Sequence, residues 1–130
     1  MIGHLALPAA IDRRPAVLLG PEGMGLSDVE RRRADALAEL GCVALAFDLH
    51  GRRYLGDPEE MLARCMPLLA DPDRMRRIGH AALNELRTEP RTDPDRIAAV
   101  GYHPQHAQRA WRDVVDLLAE CLPVTEDLRA

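Results

Sequence analysis

A short apolar segment, Ile97 to Val100, constrains the fold of this chain more than any other feature. It has no alternation of polar and apolar residues, which is typical of a strand buried on both faces in the centre of a parallel sheet. Gly101 and Tyr102 follow, and His103-Pro104 then predicts a sharp turn. At the end of such a strand, a tight turn can lift one side chain above the carboxyl edge of the sheet. His103 is the residue at that position.

Further strands and helices alternate along the rest of the chain. We predict strands at 3–7, 16–20, 42–47 and 97–102, and helices opened by Ser27, Asp57, Asp71 and Pro104. Ser27 and Glu30 form a capping-box pattern, with Val29, Ala36, Leu37 and Leu40 on the predicted inner face. This order favours one α/β domain over residues 1–130, a doubly wound, mostly parallel sheet of about four strands with helices on both faces.

Composition excludes several classes of protein. The 130 residues carry a formal charge of -4, which gives no reason to expect nucleic acid as a partner. No apolar run approaches the ~20 residues that span a bilayer, so we expect a cytoplasmic protein without membrane contact. Three cysteines, Cys42, Cys65 and Cys121, are widely and irregularly spaced, which predicts free thiols and no metal site. No cofactor is expected.

Ligands of open parallel sheets bind outside the carboxyl ends of the strands. Three predicted loops meet at that edge, at 21–26, 48–54 and 102–105. The glycines of the first loop do not have the spacing of a dinucleotide-binding turn, and Glu22 would repel a phosphate. Arg52 and Arg53 in the second loop could grip a substrate carboxylate, or could simply be solvated loop residues.

Three segments carry a family resemblance. Residues 14–26 run from a strand into Glu22-Gly23-Met24-Gly25-Leu26, residues 38–52 contain the strand and loop ending in Asp48-Leu49-His50-Gly51-Arg52, and residues 93–102 lead to Gly101-Tyr102. Together and in this order they resemble the dienelactone hydrolase family of α/β-hydrolases. The resemblance implies a Cys-His-Asp enzyme that opens small-molecule esters or lactones. It also implies that Glu22 lies beside the nucleophile and that the Gly23 N–H helps to form the oxyanion hole.

The resemblance fails where the nucleophile should stand. The family continues Gly-Tyr-Cys-x-Gly-Gly, whereas this chain continues Gly101-Tyr102-His103-Pro104. Residues 102–111 instead resemble the family's last helix. We infer an internal deletion joined at Tyr102, which removes the nucleophile, the acid and the base.

Two hypotheses follow from this interpretation. The chain is either a hydrolase with impaired or absent activity, or a non-catalytic protein. In the second case the strand at 97–101 has lost its neighbours and is left as an open apolar edge. Open edges pair with other strands, so we expect homo-oligomers formed through this edge, or its coverage by the last helix.

Overall fold

The computed structural model describes residues 3–20, 24–51 and 55–100. Their elements, in chain order, are β1 (Gly3–Ala6), β2 (Arg14–Leu19), α1 (Asp28–Glu39), β3 (Val43–Phe47), α2 (Pro58–Leu69), α3 (Pro72–Thr88) and β4 (Thr92–Val100). The predicted fold class is confirmed. The predicted last helix, from Pro104, lies outside the described residues.

The four strands form one sheet in the order β1-β3-β2-β4. β2 pairs in parallel with β3 on one side and with β4 on the other, whereas β1 runs antiparallel to β3. β2 is therefore the central strand of the parallel part. Five of its six residues are buried, because it is flanked by strands on both edges and by helices on both faces.

Side chains of β2 and β3 alternate between two cores, one on each face of the sheet. Val17, Leu19, Ala44 and Ala46 pack with Leu37 beneath α1. On the opposite face lie the side chains that pack with Ala82 and Leu86 of α3, namely Ala16, Leu18, Val43, Leu45 and Phe47. The prediction of helices on both faces is confirmed, and α1 covers the first face. On the other face α3 contacts the sheet, and α2 packs against α3.

The capping box at the start of α1 is present as predicted. The Ser27 side chain accepts a hydrogen bond from the Val29 N–H, and the Ser27 N–H donates to Glu30 Oε2 at 2.9 Å. One prediction about this helix is wrong, since Val29 was placed on the inner face and is 42% exposed. Glu30 lies inward instead, 3% exposed, because its carboxylate must reach back to the cap.

The end of α1 also follows the sequence. Gly41 follows the helix with a φ of 95°, in the left-handed region that glycine adopts without strain, which is typical of the residue that ends a helix. Cys42 then enters the sheet with no exposed surface, as expected for a buried thiol, whereas Cys65 on α2 is half-buried.

β4 differs from its prediction in length and in burial. It begins at Thr92 and not at the predicted Ile97, because Thr92 pairs with Arg14 before an irregularity in the register. It is also one of the two edge strands of the described sheet, so Ile97, Ala98 and Val100 are only half-buried and Ala99 is exposed. Pro94 fits this position, because proline is tolerated in edge strands.

Within the described part of the chain, no helix combines the length and the apolar character needed to cross a membrane.

The α3 core supplies a matched stability test. Leu86 is fully buried against the sheet, whereas Leu69 at the end of α2 is 70% exposed. Leu86→Ala should lower the free energy of unfolding by about 2–5 kcal/mol, since it removes buried methyl groups and leaves a cavity. Leu69→Ala should change it by less than about 0.5 kcal/mol. Urea unfolding followed by circular dichroism compares the two, and equal losses would contradict this core.

Candidate functional site

The carboxyl ends of the three parallel strands lie side by side. Leu19 of β2 is level with Ala46 of β3 and with Val100 of β4. The Gly20 N–H extends this alignment by donating to the Val100 carbonyl at 2.6 Å. The loops that follow these strands therefore leave the sheet at one edge, which is where ligands of open parallel sheets bind.

The loops after β2 and β3 are joined by a backbone hydrogen bond. The Leu55 N–H donates to the Met24 carbonyl at 3.0 Å. Met24 follows the loop segment 21–23, and Leu55 follows the segment 52–54. The two loops predicted to contribute to the site are thus held together just past these segments.

The side chains predicted from the sequence to act in the site are outside the described residues. Glu22 and Gly23 fall in the segment 21–23, Arg52 and Arg53 in the segment 52–54, and His103 in the segment 101–130. The described residues that flank the first two segments meet at one edge of the sheet.

Gly25 and Leu26 anchor the first loop, and each has a physical reason for its residue type. Gly25 is buried and has a φ of 99°, which a residue with a Cβ adopts only with strain. Leu26 is 2% exposed and packs into the core beneath α1. The Gly-Leu end of the motif is therefore structural. It holds the start of the described segment that follows Gly23 against the core.

Asp48 anchors the second loop and was not singled out from the sequence. It directly follows β3, is 3% exposed, and accepts a hydrogen bond from the His50 N–H at 3.0 Å through Oδ2. Its Oδ1 has no hydrogen-bond partner among the described residues. An Asp at the end of an apolar strand, two residues before a loop N–H, is the signal that could have identified this turn.

His50 also approaches Cys65 on α2, with 3.9 Å between Nε2 and Sγ. The pair joins the β3 loop to α2 across 15 residues of sequence, which no local pattern could predict. Among the described residues there is no group of three or more His, Cys, Asp or Glu side chains arranged to hold a metal ion.

The electrostatic pair at the start of β4 lies at the other end of that strand. Arg96 Nε donates to Asp93 Oδ2 at 2.8 Å, and this hydrogen bond, with a second from the Asp95 N–H, lowers the pKa of the Asp93 carboxyl. Both groups are solvent-accessible and distant along β4 from the loops. The pair therefore belongs to the turn that starts the strand.

Glycine substitutions test the anchor of the first loop. Gly25→Ala should lower the free energy of unfolding by about 1–3 kcal/mol, because alanine is strained at positive φ. Gly79 is a matched control in the interior of α3, where an added Cβ would meet nothing within 4 Å. Gly79→Ala should raise stability by up to about 1 kcal/mol through helix propensity. Equal effects of the two substitutions in thermal unfolding would contradict the strained loop conformation.

Comparison with known proteins gives a consistent family assignment. The sequence profile of the dienelactone hydrolase family matches residues 1–103. A solved structure named m3DLH is 40% identical, with a TM-score of 0.72, and the match covers 77% of this chain and 42% of that one. A dienelactone hydrolase-like promiscuous phosphotriesterase from metagenomic libraries is 34% identical, with a TM-score of 0.71 and the same coverage of both chains.

This chain therefore spans less than half the length of these two proteins. No curated protein matches it significantly. The family match covers β1 to β4 and ends at His103, one residue beyond the predicted junction at Tyr102. On this evidence the chain belongs to the dienelactone hydrolase family.

Proposed function

We propose that this protein carries part of the active site of a carboxylic ester or lactone hydrolase and that the present chain does not complete the reaction. The observation that carries the proposal is the alignment of the three strand ends, with the first two loops joined by the Leu55–Met24 hydrogen bond. This arrangement supports a site at the loop edge. A small-molecule ester or lactone is the substrate class that the family membership favours.

In this proposal each predicted residue has a defined role. The Gly23 N–H donates to the oxyanion that forms when the ester carbonyl is attacked, and Glu22 lies beside the attacking group. Arg52 and Arg53 bind a carboxylate on the substrate. No cofactor is required, because acyl transfer needs a nucleophile, a base and oxyanion donors. We also propose a cytoplasmic location.

Loss of activity follows from the residues at the predicted junction. His103 occupies the position of the family's cysteine nucleophile, and Pro104 follows it. Proline has no N–H, so it cannot supply the second oxyanion donor. One missing donor costs about 3–4 kcal/mol of transition-state stabilisation. The deletion inferred at Tyr102 would also remove the acid and the base, so a single substitution at His103 would not restore the reaction.

An ester assay tests this proposal. Purified protein should hydrolyse p-nitrophenyl acetate and a simple lactone no faster than an equal concentration of free histidine and cysteine. Glu22→Ala should leave that rate unchanged, because no activated nucleophile is present for Glu22 to assist. Multiple turnovers well above this background, reduced at least about tenfold by Glu22→Ala, would overturn the claim that the chain is inactive.

A second candidate function, self-association, is favoured by the position of β4. The Val100 carbonyl faces β2, since it accepts the Gly20 N–H. Backbone groups alternate in direction along a strand, so those of Ala98 also face β2 while those of Ile97 and Ala99 face away from it. Beyond them the described sheet has no further strand.

The backbone N–H and C=O groups of Ile97 and Ala99, which face away from β2, are suited to antiparallel pairing with a second copy of the chain. If Ala98 of each copy lies on the two-fold axis, Ile97 of one copy faces Ala99 of the other, and each such pair exchanges two backbone hydrogen bonds. The small, exposed Ala99 side chain does not obstruct this approach. We therefore propose a homodimer formed through the 97–101 edge as the alternative function.

Substitutions at Ala99 separate this dimer from other modes of association. Ala99→Pro removes an outward N–H and leaves the β2–β4 hydrogen bonds in place, so it should convert the dimer to a monomer. Ala99→Ser keeps the N–H and should remain dimeric. Light scattering during size-exclusion chromatography measures both. A wild-type monomer, or a dimer that persists in Ala99→Pro, would exclude pairing through this edge.

A further inference from the structure

A cleft lies between α3 and the first residues of the loop after β3, and none of its lining residues is assigned a role in the hydrolytic site. Its volume is about 340 Å³. One wall is a single stripe of α3 at the spacing i, i+3, i+4, i+7, formed by Arg74, Arg77, Ile78 and Ala81. The other wall is the β3 loop, formed by Asp48, Leu49 and Gly51. Two guanidinium groups therefore border a partly apolar cleft.

Arg74 and Arg77 differ from two nearby arginines that form ion pairs with carboxylates. Arg64 pairs with Glu60 at 3.2 Å and Arg76 pairs with Asp73 at 2.9 Å. In the described part of the chain, Arg74 and Arg77 have no carboxylate within ion-pair distance. Their charges are therefore available to a ligand.

The position of Arg74 does not favour the helix that carries it. α3 begins at Pro72 and Asp71 caps it, so Arg74 lies in its first turn. A cation there opposes the positive end of the helix dipole, which is unfavourable. No ion pair within the described residues offsets this cost. The same positive end would attract an anion bound beside Arg74.

We propose that this cleft binds a small monocarboxylate with a short apolar body, held by Arg74 and Arg77. A planar guanidinium donates two parallel hydrogen bonds to a carboxylate. Leu49, Ile78 and Ala81 offer apolar surface to the rest of the ligand, which a bare inorganic anion could not use.

Asp48 limits the charge of the ligand. It is buried and lines the same cleft as the two arginines, and among the described residues only its Oδ2 has a hydrogen-bond partner. This negative charge disfavours a polyanion more strongly than a monoanion. The cleft therefore selects a single carboxylate over a phosphate or a nucleotide.

Calorimetric titration of the full chain with benzoate at low salt tests the proposal, with inorganic phosphate as the second probe. Benzoate should bind, and phosphate should bind at least about tenfold more weakly. Arg74→Gln and Arg77→Gln should each weaken benzoate binding by about tenfold or more, equivalent to about 1.4 kcal/mol. Arg76→Gln is the matched control, because Arg76 lies on the same helix, is paired with Asp73 and does not line the cleft.

Several results would overturn this assignment. They are undetectable benzoate binding, phosphate binding as strong as that of benzoate, or equal losses in Arg76→Gln and Arg74→Gln. Circular dichroism of each variant establishes that it is folded. The outcome is independent of ester hydrolysis, because it measures binding and changes none of the residues assigned to the hydrolytic site.

Discussion

The two-sided pairing of β2 is the interaction on which the rest of the structure depends. β2 hydrogen-bonds to β3 along one edge and to β4 along the other, and its side chains enter both cores. Because the three strands run in parallel with aligned ends, they determine where the loops after β2, β3 and β4 leave the sheet. A slip of one residue in either ladder would exchange the two faces and misplace the loops.

At the carboxyl edge of the sheet, the residues that shape the loops are different from the residues that would act on a substrate. Gly25, Leu26 and Asp48 shape the loops through positive φ, core packing and a turn hydrogen bond. The residues assigned to catalysis, Glu22 and Gly23, lie between such anchors in the sequence. A family member can therefore keep the anchors and the sheet while the residues after β4 differ. The proposed loss of hydrolysis is compatible with a folded, four-stranded sheet for this reason.

Much of this architecture could be predicted from the sequence, because its strong signals are local. Apolar runs gave three strands to within about two residues, and Asp-Pro and Ser-x-x-Glu patterns gave the helix starts. Local patterns were insufficient where a contact between distant residues decides the outcome. β4 was predicted too short because Thr92 pairs with the distant Arg14. The contact of His50 with Cys65 had no local signal either. The misplacement of Val29 is different, since the cap that draws Glu30 inward is a local contact.

The proposed assembly depends on an edge of β4 that is unpaired within the described sheet and that a second copy fills. Residue-resolved amide hydrogen exchange at several protein concentrations tests it directly. The Val17 and Leu18 amides, in the central strand, should exchange slowly at every concentration. The Ile97 and Ala99 amides should be protected at high concentration and lose that protection on dilution, because in this proposal the partner strand covers them. Fast exchange of Ile97 and Ala99 at all concentrations, or protection that dilution does not change, would contradict the claim.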